Sequence, residues 1–212
     1  YPHMPTGTPA SRGLFDRLVD FGRRHGILIV NDNPYSFILN DKPLSILQSE
    51  GALDVALEMN SLSKCLNMAG WRVGMVAGKA EYINWILKVK SNIDSGQPRA
   101  IMEGAVAALS SPASWYKELN DAYASRKTIA SAIMDALGCR CLPGQQGLFL
   151  WGRIPDSETS AEAYADRVLE KARVFITPGF IFGSQGERYI RISLCAPESL
   201  LNEALKRIQS CL

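Results

Sequence analysis

Lys64 ends the stretch Ser61-Leu62-Ser63-Lys64, and Arg72 follows eight residues later, beside Trp71 and between Gly70 and Gly74. A primary amine becomes a nucleophile when burial and nearby cations lower its pKa, and it then condenses with an aldehyde. The hydroxyls of Ser61 and Ser63 with the fork of Arg72 suit a phosphate dianion. The same spacing is also met by a surface Ser-Lys turn and an arginine ion pair. Asp32 closes the stretch ILIVND (27–32), which places it at the C-terminal end of a central strand, where open α/β sheets bind ligands. A carboxylate there seeks a cation or a protonated ring nitrogen, or else caps a turn. Tyr35 comes three residues on, with Pro34 restricting the turn between them. Late in the chain, RYIRISL (188–194) puts Arg191 and Ser193 on one strand face and Ile190, Ile192 and Leu194 on the other. An arginine at mid-strand needs an anion, either an internal carboxylate such as Glu187 or the carboxylate of a substrate.

These side chains must be held by regular elements. GLFDRLVDFGRRHG (13–26) sets Leu14, Phe15, Leu18, Val19 and Phe21 at helical spacing, with Gly26 as a C-cap. ILIVND, VALEMNS and VGMVAG read as strands, and their alternation with helix predicts an α/β layered core. AEYINWILKVKSNID and RAIMEGAVAALSS read as two helices broken at SGQP, and Pro112 marks a boundary. Beyond it come a long helix and strands at 139–142 and 147–152. A helix near 160–172, the strand VFIT, the turn PGFIFG, the strand RYIRISL and a closing helix from about 197 to 211 complete an α+β unit. The PTG turn at 5–7 combines a proline that presets the backbone with a glycine free for a positive dihedral or a close neighbour.

At 212 residues with 47% hydrophobic and 21% charged residues, the composition is that of a globular protein. The formal charge of +2 is too small to point to nucleic acid or an anionic membrane. Five cysteines without metal-ligand spacing read as reduced thiols, which fits a cytoplasmic setting, and Cys139 and Cys141 are expected not to face one metal easily. No metal site, apolar membrane span or signal peptide is expected. The chain opens Tyr1-Pro2-His3-Met4-Pro5-Thr6-Gly7 and reads as the C-terminal part of a longer protein.

Taken in order, these motifs resemble the class I/II, fold type I pyridoxal-phosphate aminotransferases. The likeness rests on the P-x-x-P-T-G turn at Pro2 to Gly7 and on D-x-x-Y at Asp32 to Tyr35. It continues through S-x-S-K with GWRVG at Ser61 to Gly74, PG-x-x-FG at Pro178 to Gly183, and R-I-S at Arg191 to Ser193. QQGLFLW (145–151) is similar to the glycine-plus-aromatic strand of that family's small domain. The resemblance implies that residues 1–111 form the C-terminal part of a large pyridoxal-phosphate-binding domain and 112–212 a small α+β domain. It implies an enzyme moving an amino group between an L-amino acid and a 2-oxo acid. Lys64 would bond to the cofactor aldehyde and shuttle the substrate proton. Asp32 would pair with the pyridine nitrogen, Tyr35 with the phenolate oxygen, and Ser61, Ser63 and Arg72 with the phosphate. Arg191 would hold the substrate α-carboxylate. Met4 stands where the family usually has Asn, which removes one donor to the phenolate oxygen. The resemblance further implies a homodimer when complete, with the loop SNIDSGQP (91–98) placed to reach the partner, and an inactive isolated fragment. Two alternatives share these residues: a carbon–sulfur lyase of the same fold, and a non-enzymatic effector domain of a transcription regulator.

Overall fold

The computed structural model describes residues 1–211. Helix α1 (Arg12–His25) starts where Ser11, in extended conformation, accepts a hydrogen bond from the Leu14 amide, and it ends at Gly26 with φ 63°. That is an N-cap and a left-handed C-cap of the expected kinds. Phe15 and Val19 are buried against Ile46, Ala52 and Ala56. Phe21, counted in the apolar set by its spacing, instead lies 41% exposed, its ring 4.6 Å from that of His25. Gly22 takes the inward position, because a Cβ there would stand 2.8 Å from the Ile27 carbonyl oxygen. The helix therefore packs through a glycine, where hydropathy alone points to phenylalanine.

Three strands follow: β1 (Ile29–Asp32), β2 (Ala56–Ser61) and β3 (Gly74–Gly78), in the order β1-β2-β3. β1 and β2 are parallel, in register Asp32↔Met59, whereas β2 and β3 are antiparallel, in register Ser61↔Gly74. Only the four-residue helix α2 (Leu62–Cys65) and a 3₁₀ turn (Ala69–Trp71) lie between β2 and β3. The third strand runs back beside the second. Asp32 does end β1, but β1 is an edge of this sheet and not the central strand expected, with Val30 50% exposed. Helices α3 (Ala80–Ile93) and α4 (Arg99–Leu109) complete this part of the chain. The compact unit comprises residues 1–2 and 10–117.

A second compact unit comprises residues 3–9 and 118–212. It contains most of helix α5 (Ala113–Ala136), then β4 (Arg140–Cys141), β5 (Phe149–Arg153), α6 (Ala161–Ala172), β6 (Thr177–Pro178), β7 (Tyr189–Ser193) and α7 (Glu198–Cys211). The strands form one antiparallel sheet in the order β4-β5-β7-β6. Ile190, Ile192 and Leu194 are buried with Met134, Val168 and Ile208, which is the apolar face expected of the strand at 188–194. The VFIT strand (174–177) is cut down: only Thr177 and Pro178 pair with β7, and Phe175 is 72% exposed. Pro178, which cannot donate, is tolerated in this ladder because β6 is the edge of the sheet.

Cys139 lies buried just before β4 and Cys141 exposed within it, and a Cβ on Gly152 would stand 3.3 Å from Cys139 Cβ and 3.2 Å from Cys141 Sγ. Burial pushes the Cys139 thiol up to about 12. Among the described residues, no helix is long and apolar enough to cross a membrane.

Candidate active site

The β2–β3 connection carries the residues picked out for a phosphate and an aldehyde. Ser61 ends β2 and caps α2: its hydroxyl accepts from the Ser63 amide at 3.1 Å and donates to Ser63 Oγ at 2.8 Å. This contact sets both hydroxyls side by side at the end of the strand. Lys64 stands one residue further, half-buried, with its Nζ 5.8 Å from the centroid of the Tyr35 ring. Two elements that are distant in sequence thereby deliver the amine and the phenol to one place. Arg72 follows the 3₁₀ turn in the left-handed region at φ 56°, and its Nη1 donates to the Ala69 carbonyl at 2.9 Å. A non-glycine residue there costs on the order of 1 kcal/mol and is held by its surroundings. Gln97 supplies part of that hold, donating from Nε2 to the Arg72 carbonyl at 2.9 Å.

Asp32, Ser61, Ser63 and Arg72 line one cavity of about 410 Å³, which Asn60, Met75, Ile83 and Lys90 help to wall. Lys64 and Tyr35 are not in its lining. Two hydroxyls and a guanidinium at one end, with the exposed Asp32 carboxylate at the mouth of β1, are suitable donors and acceptor for a phosphorylated, protonatable ring. The residues therefore fit pyridoxal phosphate. Lys90 also pairs with Asp94 at 2.7 Å, at the far end of α3.

Several supports escaped the sequence reading. Glu58, 9% exposed on β2, accepts from Ser45 Oγ at 2.6 Å, from the Ile46 amide at 2.9 Å and from Asn33 Nδ2 at 3.3 Å. It ties the turn at 45–48 to the residue that follows Asp32. Trp115 donates from its indole to the Cys65 carbonyl at 2.9 Å, pinning the end of α2 beside Lys64. Burial raises the Cys65 thiol pKa, so that neighbour stays an uncharged thiol at neutral pH. Neither Glu58 nor Trp115 sits in a motif. A charged residue inside a strand pattern gives no sign of burial until its donors are brought up by the fold.

In the second unit, Arg191 lies on β7 opposite Trp151 and Thr177. Its guanidinium carbon is 4.1 Å from the Phe149 ring centroid and 4.4 Å from that of Phe182. The PTG turn belongs to this unit as well. Gly7 has φ 66°, and a Cβ on it would meet Gln145 Cβ at 2.9 Å, so both uses expected of that glycine are realised. Gln145 in turn satisfies both backbone groups of Trp151, at 2.8 and 2.7 Å.

A family model described as aminotransferase class I and II matches residues 1–208. The chain is 39% identical to the LL-diaminopimelate aminotransferase of Oleidesulfovibrio alaskensis, over 99% of this chain and 55% of that protein. It is 40% identical to the enzyme of the same name from Aquifex aeolicus, over 99% and 54%. Among solved structures, apo-BacF from Bacillus subtilis superposes with a TM-score of 0.90 at 31% identity, over 99% of this chain and 54% of that one. A probable N-succinyldiaminopimelate aminotransferase from Thermus thermophilus gives 0.89 at 32%, over 100% and 57%. The chain spans about half the length of the relatives it matches, and its α/β fold is that of the fold type I aminotransferases over this half. On the strength of motifs that run in order from Pro2 to Ser193 and of a family match covering nearly every residue, the chain belongs to the class I and II aminotransferases.

Proposed function

We propose that this chain is the lysine-bearing part of a pyridoxal-phosphate-dependent aminotransferase that moves an amino group between an L-amino acid and a 2-oxo acid. The observation that carries the reading is the common cavity of Asp32, Ser61, Ser63 and Arg72, next to the Lys64–Tyr35 pair. Pyridoxal phosphate, when bound, supplies an aldehyde and an electron-withdrawing ring. Lys64 would hold the aldehyde carbon, and its freed amine would take the proton from the substrate Cα and return it. Asp32 would keep a proton on the ring nitrogen. Tyr35 would donate to the phenolic oxygen, and Ser61, Ser63 and Arg72 would hold the phosphate. Arg191 would bind the substrate α-carboxylate. The names of the relatives suggest LL-diaminopimelate as the amino donor, and sequence likeness is its only support. The same proposal takes 1–111 and 112–212 as large-domain and small-domain parts, a cytoplasmic setting for the five free thiols, and a homodimer for the whole protein.

The test is to add pyridoxal phosphate to the chain, reduce with borohydride and map adducts by peptide mass spectrometry. A phosphopyridoxyl group confined to Lys64, and absent from Lys64→Ala, is the expected result. Equal labelling of exposed lysines such as Lys79 and Lys88 would refute the assignment. For the whole protein, a new amino acid without pyruvate and ammonia separates transfer from carbon–sulfur cleavage.

A further inference from the structure

Phe182 is 40% exposed, and its ring lies against a cation as well as against the core. Three independent features put it there. It is the last residue of the 3₁₀ turn Gly179–Phe182, and Gly183 beyond it has φ 124°. The turn closes by contact of two glycines, since a Cβ on Gly186 would stand 2.0 Å from the Gly179 carbonyl oxygen. The ring then meets Trp151 edge-on at 5.8 Å and 73°, while Trp151 stacks flat on Tyr189 at 5.2 Å and 9°. Phe149 reaches the same guanidinium by a different route. It pairs with Ser193 while Trp151 pairs with Arg191, so it is the diagonal neighbour of Arg191 on one sheet face.

A guanidinium lying over two aromatic rings is held by their negative faces and shielded from water there, and a guanidinium makes its directed bonds through N–H groups that lie in its own plane. We propose that Phe149 and Phe182 are positioning residues for carboxylate recognition: they set the plane of Arg191 so that two parallel N–H groups meet a carboxylate together. The inference rests on the reading of Arg191 as a carboxylate ligand. It adds that affinity depends on the two rings as well as on the charge. Free rotation of the same cation would retain its attraction for an anion but lose the two-point geometry.

The experiment follows modification of Arg191 by phenylglyoxal, resolved by peptide mass spectrometry, with maleate as the competing carboxylate. In the unaltered chain, maleate should slow labelling of Arg191. In Phe182→Leu and in Phe149→Leu, labelling without maleate should quicken several-fold. The maleate concentration giving half protection should rise about tenfold or more, as expected when one of two directed, charge-assisted bonds to the carboxylate is lost. Phe182→Tyr, which keeps the ring, should restore both values. Circular dichroism melting identifies any variant that has lost its fold, and the Phe149 and Phe182 variants serve as replacements for each other. Protection in the unaltered chain with an unchanged midpoint in both leucine variants overturns the inference alone. Absence of protection in the unaltered chain, with labelling still faster in the leucine variants, overturns the carboxylate reading of Arg191 and the inference with it.

Discussion

Replacing Glu58 by alanine should unfasten the segment that follows Asp32. Its carboxylate is the acceptor for Ser45 Oγ at 2.6 Å, the Ile46 amide at 2.9 Å and Asn33 Nδ2 at 3.3 Å. The first two are short and charge-assisted, worth roughly 1.5–3 kcal/mol each, whereas the long third contributes little. Ile46 is fully buried, so its amide finds no water when the carboxylate goes. Bonds to one acceptor are not additive, and we expect a net loss of about 3–4 kcal/mol for Glu58→Ala. Glu58→Gln keeps the volume and one acceptor, and should lose about half as much. Urea unfolding followed by circular dichroism gives both numbers, with an unchanged slope showing that only the native state is affected. A loss under about 1 kcal/mol for the alanine variant would refute the reasoning, because it would place the carboxylate in water instead of among those donors.

Gly186→Ala should destabilise the second unit by at least about 2–3 kcal/mol, since its Cβ falls 2.0 Å from a backbone oxygen that cannot swing aside; thermal melting checks it. Arg72→Lys should weaken pyridoxal phosphate binding about tenfold, measured by absorbance titration, because an ammonium lacks the planar fork for a phosphate. In alkali, the thiol of Cys139 and the phenol of Tyr164 are both held up to about 12 by burial, from ordinary values of 9.0 and 10.0. Raised folded pKa values mean that their contribution is whole below pH 9 and is lost as pH climbs towards 12. Melting temperature should therefore fall over that range, and Cys139→Ala should flatten the first part of the decline.

The C-cap of α1 and the faces of β7 were legible because they depend on local chemistry: Gly26 and an alternation of isoleucines with Arg191. The cavity residues Asp32, Ser61, Ser63 and Arg72 were legible for a related reason, as short motifs at strand ends. What stayed hidden was non-local. Glu58 looks like the solvent side of a strand until Ser45 and Ile46 arrive from thirteen and twelve residues upstream. Phe182 looks like part of a greasy turn, and only the fold brings Arg191 beneath it. The edge position of β1 was missed because an apolar run such as ILIV reads as buried on both sides, whatever lies beside it.

Ser61 and Gly74 are partners on the same rung, so the segment bearing Ser63, Lys64 and Arg72 leaves the sheet and returns to it at one point. Gly74 locks that rung, because a Cβ there would stand 2.8 Å from the Asn60 carbonyl oxygen. A stitch closed in this way separates two kinds of change. Substitutions inside it alter which groups face the cavity while the strands beneath keep their register. A slip of one residue at the rung would turn every β3 side chain to the opposite face. Chemistry on this protein is thus free to vary at the outward positions of the stitch, while its buried Leu62, Cys65, Leu66 and Met68 and the knot that ties it are not.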